Sequence, residues 1–223
     1  MIDATSLDTT VVILSGGRAR RLGQPKSVVN LDGRSALRVL LDALPDDLPV
    51  VVVGDSAPDV ERQLRILRED PPFAGPLHAV STAVIQLVTT GSFIVQAVDQ
   101  PLAAGHTLQL VPQLGSRVAS APAQAVIPVD PSGRQQPLAA AYDTHAVRDA
   151  IARLGTTVNQ PMSALLRQLV VLDLPIRPDD AMLADYLDID TPADLELTRM
   201  RLPRTRPSTR TPSPAEPMHP DQA

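Results

Sequence analysis

The chain contains no cysteine and no tryptophan. The first absence excludes disulfides, thiolate nucleophiles and cysteine-ligated zinc or iron–sulfur centres. Aromatic residues make up only 2% of the 223 residues, so stacking is not expected to dominate recognition of a planar ligand. Hydrogen bonds to the ligand's polar edge are the physical alternative. Positive charge is not in excess either. Lys and Arg number 20 against 25 Asp and Glu, a formal net charge of -5, and nothing in that balance calls for a nucleic-acid or acidic-membrane partner. The longest early apolar run is Val11 to Leu14, preceded by Asp3 and Asp8. Neither a secretory signal nor a membrane span is expected, and the reading is cytoplasmic. The histidines, His78, His106, His145 and His219, show no local metal-ligand spacing, and no G-x-S-x-G elbow exists for acyl transfer.

What remains is an ordinary globular composition with 43% hydrophobic residues. Apolar runs of strand length occur at Val11 to Leu14, Val50 to Val53, Phe93 to Val98, Ala125 to Val129 and Leu169 to Leu172. Helical spacing of three to four marks Arg34 to Leu44, Leu77 to Val88, Thr144 to Leu154 and Pro192 to Met200. Continuous apolar strands alternating with amphipathic helices predict an α/β, three-layer architecture with a mainly parallel sheet and helices on both faces. Residues 1–9 read as a short lead, 10–200 as the domain, and 201–223, rich in Pro, Ser, Thr and Arg, as a disordered tail.

In such sheets, ligands bind in the loops beyond the carboxyl ends of the strands. The loop LSGGRARRLGQPK, Leu14 to Lys26, follows the first strand. Gly16 and Gly17 allow a sharp turn and close approach of backbone amides, and Arg18, Arg20, Arg21 and Lys26 add cations suited to a polyphosphate. The spacing matches neither the P-loop nor the G-x-G-x-x-G fingerprint. In FIVQAVDQPL, Asp99 ends a buried strand, where a carboxylate calls for a cationic partner such as a metal ion, or serves as a helix cap or loop acid.

The pattern L-S-G-G-x-x-x-R-L-G-x-P-K resembles the signature loop of small-molecule nucleotidyltransferases, and most closely the molybdenum cofactor guanylyltransferases (MobA-like). That resemblance implies a Rossmann-like nucleotidyltransferase fold. It also implies that Leu14, Ser15, Gly16 and Gly17 line the base and sugar, while Arg21 and Lys26 hold phosphates. REDPPFAGPLHAV, Arg68 to Val80, resembles the family's acidic element, giving Asp70 a nucleotide-binding role and Gly75-Pro76 either a ligand role or plain helix punctuation. Asp99-Gln100-Pro101 resembles the family's Asp that binds nucleotide-bridging Mg²⁺. GRQQPLAAAY, Gly133 to Tyr142, resembles the family's Gln-Pro-Leu segment near the acceptor, and Asn159 to Leu165 resembles its short helix carrying a small residue before the last strand. YLDIDTPADL, Tyr186 to Leu195, resembles the closing element. There Asp190 reads either as a metal or acceptor contact or as part of a helix start.

The implied activity is Mg²⁺-dependent transfer of GMP from GTP to the terminal phosphate of molybdopterin, with Arg21, Lys26 and Asp99 catalytic. Two features depart from the guanylyltransferases. Pro25 stands before Lys26 where they usually carry Asp, and Gln-Pro-Lys with Asp-Gln-Pro looks more like the cytidylyltransferases (MocA-like), which would use CTP. Gly16-Gly17, the Gly-Pro-Leu at Gly75 and the Gln-Pro-Leu at Gln136 favour GTP. A non-catalytic nucleotide-binding module remains the reading from another class.

Overall fold

The structure, a computed structural model, describes residues 8–16, 23–177 and 181–202. Eleven strands and six α-helices form among them. The main sheet comprises β1 (Thr9–Leu14), β4 (Val50–Val53), β5 (Arg65–Leu67), β6 (Ser92–Ala97), β9 (Ala125–Val129), β10 (Ala139–Asp143) and β11 (Val171–Pro175), in the order β11-β9-β10-β6-β1-β4-β5. Small hairpins β2 (Asn30–Leu31) with β3 (Arg34–Ser35), and β7 (Arg117–Val118) with β8 (Ala121–Pro122), lie outside it. In the main sheet β10 alone is reversed, running antiparallel to both β6 and β9.

The central strands are Val- and Ile-rich because both of their faces are covered, and branched side chains pack well on a pleated surface. Val12, Leu14, Val51, Val53, Phe93 and Tyr142 point to one core, packed under α2 (Pro76–Gln86), α4 (Thr144–Leu154) and α5 (Met162–Leu166). Val11, Ile13, Val50, Val52 and Ile94 point to the other, under α1 (Ala36–Asp42) and α3 (Ala104–Leu108). The mainly parallel, three-layer expectation is thus observed.

Helix starts follow local capping chemistry. Ser35 accepts from Arg38 N, so α1 begins at Ala36 while Arg34 and Ser35, expected as helix, pair as β3 instead. Asp143 accepts from Ala146 N and starts α4. Gly75, at φ 94°, turns the chain into α2 with Pro76 in its first turn. A capping box between Thr191 and Asp194 starts α6 (Pro192–Arg201).

Both ends of the domain also differ from the sequence reading. Thr9 already belongs to β1, and α6 continues to Arg201. The rest of the proposed tail, 203–223, lies outside the described residues, as does 1–7 of the lead. No helix among the described residues is long and apolar enough to cross a membrane.

Candidate active site

A cleft of about 850 Å³ opens at the carboxyl ends of the parallel strands. Leu14, Gly16 and Val53 line one side, Ala97 to Gln100 the centre, and Arg134 to Leu138 the far side. Phe73, Gly75 and 159–162 complete the rim. The two rim loops are joined by Asn159 N donating to the Ala74 carbonyl at 2.7 Å.

Three loops distant in sequence converge on one ammonium. Lys26 opens a short 3-10 turn directly after Pro25, Asp99 lies two residues beyond β6, and Asp190 immediately precedes the Thr191 cap. Lys26 Nζ lies 2.6 Å from Asp99 Oδ2 and 2.6 Å from Asp190 Oδ1. Backbone hydrogen bonds fix this convergence: Val98 N donates to Leu14 O at 3.1 Å, and Ile189 N to Asp99 O at 2.9 Å. Asp190 N donates to Asp194 Oδ2 at 3.1 Å, so the capping box also orients the residue that grips Lys26.

Burial works against the charged form of Lys26, but the hydrogen bonds to Asp190 and Asp99 and their negative charges outweigh it and raise the amine above its ordinary value. Burial, followed by the charges of Asp99 and Asp190, pushes the Asp188 carboxyl up. Asp188 also lines the cleft.

Of the residues expected to hold the nucleotide, Leu14, Gly16, Lys26 and Asp99 line the cleft. Ser15 is buried, with its hydroxyl donating to the Asp55 carbonyl, and does not line the cleft. Gly17, Arg18, Arg20 and Arg21 lie outside the described residues. Asp70 is exposed and away from the cleft lining, with its carbonyl oxygen bonded to His78 Nε2 at 2.8 Å; its neighbour Glu69 lines the cleft instead. Asp190 is not the helix cap, because Thr191 is, and its side chain turns to Lys26. Asp99 likewise caps no helix: α3 starts at Ala104.

Other cleft features escaped the sequence reading. A Cβ on Gly54 would lie 2.5 Å from Gly16 N, and its φ is +122°, so this glycine lets β4 end against the glycine-rich loop. The glycine directly after VVVV was the available signal. Phe73 stands 57% exposed at the rim, at φ 61°, whereas Phe93 and Tyr142 stack in the core 5.3 Å apart. The few aromatics are therefore spent mostly on packing, and one faces the cleft.

The carboxylates fit a cation. Asp99 Oδ2 and Asp190 Oδ1 already point at one positive centre, the Lys26 ammonium. Among the described residues no group of three or more His, Cys, Asp or Glu forms a metal cage. That donor set suits Mg²⁺, which commonly takes one or two carboxylates and completes its shell with water and substrate phosphates. The described histidines are engaged elsewhere: His78 Nδ1 with Thr157 Oγ1 at 2.8 Å, His106 Nε2 with Asp185 Oδ2 at 2.9 Å, and His145 with Asp149 at 3.3 Å.

A family model described as the MobA-like NTP transferase domain matches residues 11–172. A protein of Natranaerobius thermophilus named "Probable molybdenum cofactor guanylyltransferase" is 26% identical over 89% of this chain and 98% of its own length. A Mycobacterium bovis protein of the same name is 31% identical over 70% of this chain and 77% of its own. Among solved structures, molybdopterin-guanine dinucleotide biosynthesis protein A from Archaeoglobus fulgidus superposes with a TM-score of 0.63 at 23% identity. That alignment covers 86% of this chain and 97% of the other, and at this identity it speaks for the fold.

Proposed function

The chain belongs to the MobA-like NTP transferase family, and from that premise we propose that it moves GMP from GTP to the terminal phosphate of molybdopterin, with Mg²⁺ as its metal. The observation that carries this reading is Lys26 held between Asp99 and Asp190 inside the cleft. The names borne by the relatives support guanylyl transfer over cytidylyl transfer.

The reaction is an in-line displacement. An oxygen of the acceptor's phosphate attacks the α-phosphorus of GTP, a new P–O bond forms, and the bond from the α-phosphorus to the bridging oxygen breaks. Pyrophosphate leaves with that electron pair. The acceptor is already an anion, so no protein nucleophile is required, and the residues serve by positioning and by neutralising charge. Gly16 and the backbone around it approach the nucleotide, Lys26 binds phosphate oxygens, and Arg21 takes the same task. Asp99 would hold the metal, and Asp190 would hold Lys26 in place or share the metal.

Among the described cleft residues the acids are Glu69, Asp99 and Asp188 and the cations Lys26 and Arg134, and Lys26 is already paired with two carboxylates. A polyphosphate entering such a site needs further positive charge. Mg²⁺ held by Asp99, with or without Asp190, would supply that charge and would stabilise the negative charge that develops on the leaving group.

A thermal-shift series with GTP, CTP, ATP and UTP, each with and without Mg²⁺, tests the reading. Ligand at a hundred times its Kd stabilises by about 2.7 kcal/mol, a readily measured shift. The expected result is a Mg²⁺-dependent shift selective for GTP, followed by pyrophosphate release with molybdopterin. A shift selective for CTP overturns the guanylyl assignment.

A further inference from the structure

The cleft is divided by the sheet itself. Along the order β9-β10-β6-β1-β4, the glycine-rich loop follows β1, Asp99 follows β6 in the middle, and the loop after β9 lies on the far side. That last loop, 130–138, carries Arg134 into the cleft lining. Arg134 is the only arginine among the described lining residues, and its guanidinium has no hydrogen-bond or ion-pair partner among the described residues. The charge it bears on is Asp188, beside the Lys26 cluster.

The loop presenting Arg134 is built to hold its shape. Asp130 Oδ1 accepts from Ser132 N at 2.9 Å, Ser132 Oγ at 2.6 Å and Arg134 N at 3.0 Å. Its Oδ2 accepts from Gln136 Nε2 at 3.3 Å. Asp130 N donates to Arg134 O at 3.0 Å, and Gly133 takes the left-handed φ of +85° that the turn needs. Gln136 Oε1 accepts from Gln100 Nε2 at 3.4 Å, and Gln100 adjoins Asp99. The loop and the centre of the cleft are thus connected through buried amides, and the backbone that carries Arg134 is held on the wall opposite the glycine-rich loop, leaving its guanidinium available to a ligand.

We infer that Arg134 binds the anionic phosphate of the acceptor. This rests on the nucleotidyl-transfer reading above. In-line displacement puts the attacking oxygen and the leaving group on opposite sides of the α-phosphorus. With the triphosphate held on the side of Lys26 and the glycine-rich loop, the entering phosphomonoester approaches from the β9 side. Arg134 is the cation waiting there, and its planar fork suits two phosphate oxygens at once.

Initial rates of pyrophosphate release, with GTP and molybdopterin varied separately, test this in the full chain and in Arg134→Ala and Arg134→Lys. In Arg134→Ala the acceptor KM should rise about tenfold or more, the scale of a lost charge-assisted hydrogen bond. The GTP-induced thermal shift should match wild type, and Arg134→Lys should recover part of the loss. A weakened GTP shift with unchanged acceptor KM would assign Arg134 to the nucleotide and overturn the inference. Unchanged values for both substrates would overturn it too, while leaving the reaction intact. Wild-type protein that binds GTP but releases no pyrophosphate with molybdopterin would overturn the proposed reaction and this inference together.

Discussion

Lys26 and Asp190 stand 164 residues apart in sequence and meet at 2.6 Å. Asp99 reaches the same ammonium from the middle of the chain, also at 2.6 Å. The mainly parallel sheet brings this about, because its parallel strands end on the same side and deliver their following loops to one place.

The first prediction concerns that ammonium. Lys26→Ala should lower kcat about a hundredfold or more, as losing one preorganised contact to developing charge typically does. Circular dichroism should show the fold retained. Lys26→Arg should recover little, since a guanidinium fork does not replace a compact ammonium held by two carboxylates. Wild-type turnover in Lys26→Ala would remove Lys26 from the mechanism.

Asp99 is the next. Asp99→Asn keeps the side chain's size while removing its charge, so the GTP-induced thermal shift should lose its dependence on Mg²⁺. Lys26 retains Asp190 as a partner in that variant, which limits the structural cost. An undiminished Mg²⁺ dependence would move the metal to Asp190 or Asp188.

Gly54 tests whether the glycine-rich loop needs its backbone support. A methyl group there would press on Gly16 N, which is main chain and cannot rotate away. Gly54→Ala should therefore destabilise by about 2 kcal/mol, the cost of such backbone strain. Thermal denaturation reads that cost as a fall in Tm of roughly 5 °C. GTP affinity should fall as well, because Gly16 lines the cleft. A variant with wild-type Tm and affinity would show that the loop yields without consequence.

Much of this architecture was legible in the residues. Val11 to Leu14 and Val50 to Val53 announce buried parallel strands, and of the loop after the first strand Gly16 and Lys26 line the cleft. Strand β10 was not legible, because Ala139, Ala140 and Ala141 carry no strand preference of their own. They are fully buried and pair with β6 through the sheet's backbone hydrogen bonds, a tertiary placement that their own side chains do not specify. The choice between Asp190 as cap and as cleft residue was also closed to sequence, since Asp, Thr and a following Asp all start helices well. Only the folded geometry gives the capping to Thr191 and leaves Asp190 to face Lys26. Glu69 and Asp70 are adjacent acids of like chemistry, and which one faces the cleft depends on the path of the loop.

That division of labour at the last helix leads to the final prediction. Thr191 Oγ1 accepts from Asp194 N at 3.2 Å, and Asp194 Oδ2 accepts from both Thr191 N at 2.7 Å and Asp190 N at 3.1 Å. Thr191→Ala removes the cap hydroxyl and should destabilise by about 1 kcal/mol, the usual cost of a lost N-cap. Because Asp194 also holds the Asp190 amide, loosening the box should let the Asp190 carboxylate drift from Lys26. Turnover should then fall by more than the small loss of folded protein accounts for, and Thr191→Ser, which keeps the hydroxyl, should restore both stability and rate. If Thr191→Ala lowers Tm with no change in kcat, the capping box serves the helix alone, and Asp190 is held to Lys26 by the ion pair without help from the backbone.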